Sequence, residues 1–161
     1  MDMTDEIMDA ITRAVVLGRE GDVGAARSAL VDLWAAIGPA GDALHRCTLA
    51  HYLADLYDDP AQALVWDVRA LDAADALTDD RVQQHHTSLA VRGFYPSLHL
   101  NLADNFRRLG SFDQAQVHLD AAGRYLDALG DDEYGAMIRT AVDEVGAAVA
   151  ARSVESRPSH P

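Results

Sequence analysis

Apolar positions recur at helical spacing along almost the whole chain. Ile7, Ile11, Ala14 and Leu17 mark one face of a first helix, and Val23, Ala26, Leu30, Leu33 and Ile37 one face of a second. A third segment carries Leu44, Cys47, Leu53 and Leu56, and a fourth Leu64, Trp66, Val68 and Leu71. Asp5 and Glu6 suit a first turn, where the helix dipole favours acid. Gly21 stops the first helix, Asp22 can cap the second, and Gly38-Pro39 ends it. Asp42 can cap the third, and Asp59-Pro60 opens the fourth, because proline at the first helical position gives up no needed donor. A fifth helix starts at Asp79 or Asp80 and is interrupted by Gly93 and Pro96, and Ser97 can restart the chain into a sixth that ends at Gly110. Ser111 and Gln114 read as a capping box for a seventh, and Asp131 or Asp132 caps an eighth carrying Met137, Ile138, Ala141, Val142 and Val145. Residues 153–161 are polar with two prolines and read as a disordered tail. No stretch sustains strand alternation, so the expectation is an all-α chain with residues 1–152 as a single domain.

The helices fall into pairs. Residues 96–129 form the clearest unit: Leu102, Ala103, Phe106 and Leu109 on one helix, a Gly110-Ser111 turn, then Phe112, Ala115, Leu119 and Ala122 on the next. Residues 7–40 match it through Ala14, Leu17, Gly21, Val23, Ala26 and Leu30, with Leu33 where a small residue is usual. Residues 44–77 match more loosely through Ala63 and Ala70, with Asp58-Asp59 in place of the glycine turn. This pattern resembles the tetratricopeptide repeat (TPR) over about 120 residues. His99, where a large apolar residue is usual, Asp127, where proline often ends the unit, and about 18 inserted residues near 78–95 depart from it. The resemblance implies a stack of antiparallel helical hairpins, a TPR-like α-solenoid, closed by a C-terminal capping helix. It also implies a protein–protein interaction module that takes a protein or peptide partner in its concave groove. The lysine-and-asparagine clamp of some TPR proteins is not reproduced, because the chain has no lysine.

Composition narrows the function classes. Aromatic residues are only 6% of the chain, so the core must come from Leu, Val and Ala, and no stacking platform for nucleotides is implied. The net charge of −13 disfavours generic nucleic-acid and membrane binding and favours a basic partner or a solvated exterior. All 13 basic residues are Arg, which removes Schiff-base lysine chemistry and any P-loop. The lone Cys47 lies on an apolar face and reads as a buried structural thiol. His51 and Asp55 share a helical face, but no second pair and no HExxH completes a metal site, and no cofactor is implied. The first residues lack a secretory pattern, and no apolar run approaches the roughly 20 residues that span a bilayer, so the expected location is cytoplasmic.

One stretch departs from the acidic background. Residues 81–108 hold four arginines and a single acid, Asp104. On the fifth helix Arg81, His85, Ser88 and Arg92 would form one polar stripe, and on the sixth Ser97, Asn101, Asn105 and Arg108 another, opposite a core face of Leu98, Leu102, Phe106 and Leu109. Phe94 and Tyr95 sit at the break between them, where they either line a groove or anchor the core. Two readings of the stripes stay open. In one, Arg81, His85, Ser88, Arg92, Tyr95, Asn101, Asn105 and Arg108 bind, or act on, a small anionic molecule through Arg forks and amide donors. In the other, these arginines pair with acids on neighbouring helices. No catalytic residues stand out, and self-association through exposed helix faces is a third functional reading.

Overall fold

The computed structural model describes residues 3–85 and 90–157, and among these every regular element is helical. The chain divides into two compact units, residues 1–88 and 89–161. No helix among the described residues is long and apolar enough to cross a membrane.

The first unit contains α1 (Met3–Arg19), α2 (Val23–Ile37), α3 (Ala43–Ala54), α4 (Pro60–Asp75) and the short α5 (Asp79–His85). The packed pairs are α1 with α2 and α3 with α4, and α3 also rests on both α1 and α2. Gly21, at φ +105°, makes the turn between α1 and α2 in a conformation that a side chain would strain. Three aspartates then cap successive helices. Asp22 accepts from the Ala25 amide, Asp42 from those of Leu44 and His45, and Asp59 from that of Ala61, with Pro60 in the first turn. The interior is built on small residues: Ala26, Ala50, Ala70 and Ala74 are fully buried beside Leu30, Leu49 and Leu53. Cys47 is buried among them, and burial pushes its thiol up to about 12, which fits the expected structural thiol.

The second unit contains a 3-10 turn (Val91–Phe94), α6 (Tyr95–Arg108), α7 (Phe112–Arg124), a second 3-10 turn (Leu126–Ala128) and α8 (Glu133–Ala150). Pro96 does not break a helix here; it sits in the first turn of α6, where its missing N–H costs nothing. Gly110, at φ +80°, closes the turn into α7. Ser111 stands at the N-cap of α7 but its side chain makes no capping hydrogen bond, so the expected capping box is not formed. Leu100, Ala103, Ala115, Leu119, Ile138, Val145 and Val149 form the core, with Phe106 and Leu129 packed against it. Leu109, expected on the core face, is 41% exposed, because the helix has already ended there.

The most buried polar group of this unit is Arg107, which has no exposure at all. Its Nε and one terminal nitrogen donate to Asp104 Oδ1 at 2.9 and 2.7 Å, and the other terminal nitrogen donates to the Ser153 carbonyl at 2.8 Å. Arg157 donates to Glu144 at 2.8 Å and lies 3.8 Å from Asp104. Residues 153–157, read from composition as part of a loose tail, are therefore fastened to α6 and α8 by these two arginines. Ending the chain at Arg152 removes one acceptor from a buried guanidinium, an expected loss of about 1–3 kcal/mol. Arg107→Ala should cost about 3 kcal/mol or more, since it also strips Asp104 of its main partner. Amide hydrogen exchange, which reads each unit separately, should show both losses in α6–α8 and leave α1–α4 unchanged.

Candidate functional site

Of the two polar stripes expected from the sequence, the first is not carried by one helix, while the residues of the second do lie together on α6. Arg92 belongs to the 3-10 turn of the second unit and not to α5, so it does not extend a stripe from Arg81. Ser88 and His86 lie outside the described residues, and of His85 only the backbone, at the end of α5, is described. On α6 the stripe is largely drawn inward: Asn105 is buried, Ser97, Asn101 and Arg108 are half-buried, and Asn101, Asn105 and Arg108 each have an interaction partner. Ser97 donates its hydroxyl to the Phe94 carbonyl at 3.2 Å.

Arg81 is engaged in its own unit. Its Nε donates to Asp42 Oδ2 at 2.7 Å, and a terminal nitrogen lies 3.4 Å from His45 Nε2. The other oxygen of Asp42 caps α3, so one carboxylate ties α5 to the start of α3. Burial works to raise the Asp42 pKa, but the hydrogen bonds from Arg81 and the His45 amide, with the charges of both residues, hold the carboxyl below its ordinary value. Arg81→Ala is expected to cost about 1 kcal/mol or less, because the pair is partly solvated. The contribution of Asp42 should be fully present above an ordinary carboxylate pKa of about 4 and lost as pH falls through its depressed folded value. Tryptophan fluorescence reads this directly, since Trp34 and Trp66, the only tryptophans, both lie in the first unit.

What the second unit does assemble is a row of rings. The Arg92 guanidinium lies 5.2 Å above Tyr125, which stacks on Tyr95 at 4.8 Å. Tyr95 stacks on His99 at 6.0 Å, and Phe106 on His118 at 5.5 Å. Between them, His99 Nδ1 and His118 Nδ1 are 3.1 Å apart. The ring centroids are 5.4 Å apart with planes inclined by 26°. The excess of centroid over nitrogen separation is close to two imidazole radii, so the nitrogens point head-on and share one proton: one ring donates and the other accepts. Two head-on nitrogens at this distance leave no room for an ion between them, and a second added proton would set N–H against N–H. Among the described residues no group of three or more His, Cys, Asp or Glu is placed to hold a metal. On α3, burial holds the His51 pKa below its usual value against the opposing charge of Asp55.

Tyr95 and Arg92 are thus brought together through Tyr125, and Arg92 also reaches Asp127 at 3.5 Å across an exposed pair. Sequence reading missed Tyr125 and His118. A weak signal existed: helices joined by a tight turn bring roughly equidistant residues together, and His99 and His118 flank Gly110 at comparable distances.

A second constellation and a groove lie in the first unit. Trp34 and Trp66 meet edge to face at 5.2 Å, with Arg46 over Trp34 at 4.1 Å and Arg69 over Trp66 at 4.5 Å. Between α1 and α2 runs an open groove of about 490 Å³, lined by Ala10, Ala14, Leu17, Ala29, Leu33 and Ala36, with Arg13 and Asp32 as its charged members.

The fold and these sites define an all-helical protein of packed helices, compatible with a helical-repeat architecture. No protein-family model matches the chain, and comparison with curated proteins and with solved structures gives no significant match.

The histidine pair makes a pH prediction. Burial lowers the His118 pKa from its ordinary 6.5, so the unfolded chain takes up the proton first. The stability of the second unit should fall as pH drops from about 7 to 5. His118→Phe, which preserves stacking on Phe106, should flatten that slope in the exchange rates of α6 and α7.

Proposed function

We propose that this chain is a TPR-like interaction module whose groove between α1 and α2 seats a basic amphipathic helix. The observation that carries the reading is the groove itself, open and lined mainly by alanine and leucine. Small lining residues let a third helix approach closely, as α3 does on α1 and α2 elsewhere in the pair. An amphipathic helix laid in such a groove reads it through apolar side chains at i, i+3 and i+4. Charge selects the partner: residues 3–40 hold six acids (Asp5, Glu6, Asp9, Glu20, Asp22 and Asp32) against three arginines (Arg13, Arg19 and Arg27). A partner helix with a basic outer face is attracted and an acidic one repelled.

The alternative, a small-anion site or enzyme built on residues 81–108, is less well supported, because Arg81 is held by Asp42 and Arg92 is shared between Asp127 and Tyr125.

The groove is tested with model peptides. A fluorescently labelled Leu–Lys amphipathic helix should bind the protein, and its Leu–Glu counterpart should not. Ala29→Gln with Ala36→Gln adds neutral bulk at two exposed groove positions. It should weaken the Leu–Lys peptide at least tenfold without altering the circular dichroism. Equal binding to the double variant would mean attraction by net charge alone and would remove the groove from the account.

A further inference from the structure

Two guanidinium groups of the first unit converge on one pair of indoles. Arg46, from α3, lies 4.1 Å from the centre of the Trp34 ring. Arg69, from α4, lies 4.5 Å from Trp66 and 5.6 Å from Trp34. Both cations thus gather around Trp34 and cannot be further apart than those two contacts laid end to end. Trp66 is buried beneath, Trp34 and Arg46 are half-buried, and Arg69 is exposed, so the cluster opens to solvent.

The chemistry of a stacked guanidinium is directional. Its face is taken by the aromatic ring, while its N–H donors point outward in the plane, along the edge. Arg46 spends one of these donors on the Gly38 carbonyl. Among the described residues neither Arg46 nor Arg69 forms an ion pair, and the acids nearest Arg69 in its helix, Asp67 and Asp72, make none with it. Two like charges held around one ring repel each other, and an anion between them converts that repulsion into attraction. A carboxylate presents one edge and matches one fork; a dianion presents two.

We propose that Arg46 and Arg69, held on the Trp34–Trp66 pair, form a binding site for a dianionic oxyanion group, a phosphate or a dicarboxylate. The site lies apart from the α1–α2 groove and does not depend on it. Contact with the indoles restrains both guanidinium groups before the ligand arrives, which lowers the ordering cost of binding. The ligand completes the cluster by bridging the two free edges.

The chain carries its own reporter, because the site contains both of its tryptophans. Inorganic phosphate is titrated at constant ionic strength against chloride, and malonate likewise, with tryptophan emission as the readout. A saturable change with either dianion is expected, and the one that saturates at lower concentration assigns the ligand class. Arg69→Gln should weaken the response at least tenfold while far-UV circular dichroism and Tm stay close to wild type. Arg46→Lys, which keeps the charge and loses the fork, should weaken it too. A response that follows ionic strength alone, or that persists unchanged in Arg69→Gln, overturns the proposal and leaves the arginines as a cover over the indoles.

Discussion

Alanine sets the distance between the helices of this chain, and much else follows from that spacing. Where Ala26, Ala50, Ala70, Ala74, Ala103, Ala115 and Ala122 are buried, helix backbones come close enough for larger neighbours to interlock. Gly18 carries the same logic furthest: a Cβ built there would stand 3.3 Å from that of Ala26. A core of this kind has few aromatic rings to spare. They gather in two clusters, the Trp34–Trp66 pair in one unit and the Tyr95–Tyr125–His99 stack in the other.

Arginine then does the fastening that lysine does in other chains. A planar guanidinium can stack on a ring and donate along its edge at the same time, which an ammonium cannot. Arg27 covers Tyr57, Arg152 covers Phe112, and Arg139 reaches the carbonyls of Leu126, Leu129 and Gly130 at the turn before α8. Arg107 is the extreme case, wholly buried, with its donors divided between one carboxylate and one carbonyl. The −13 net charge therefore hides a division of labour: four aspartates cap helices, while several arginines cross between elements.

This division explains what was legible in the sequence. Most local signals held because their partners are local, the Ser111 capping box being the exception. Asp22, Asp42, Asp59 and Asp132 each cap a helix with an amide two or three residues away, and Gly21 and Gly110 each need a backbone that other residues resist. The candidate site was not legible, because a helical wheel says which residues share a face and not what that face meets. Arg81 looked like the start of a binding stripe, yet its partner Asp42 lies 39 positions earlier. Arg107 was only one of four arginines counted in residues 81–108, and its acceptor at Ser153 lies 46 positions later. Arg46 and Arg69 drew no attention, since nothing in their neighbourhoods shows that two helices aim them at the same indole.

In α2 composition and burial disagree. Of its 15 residues, only Arg27, Ser28 and Asp32 have polar side chains, and a helix apolar on nearly every side is ordinarily buried on every side. Yet Ala26 and Leu30 are its only buried residues, and Val23 and Val31 are 36% and 38% exposed. The excess has a geometric account. At about 100° per residue, Ala26 and Leu30 point toward the core and Trp34 continues that face toward α3 and α4. Ala29, Asp32, Leu33 and Ala36 occupy the sector beside that face, with Leu33 next to Ala26 on the helical wheel, and line the groove. The apolar surface of α2 therefore runs on from the face that packs on the core into the groove, and under the proposed function a partner helix would lie against that extension.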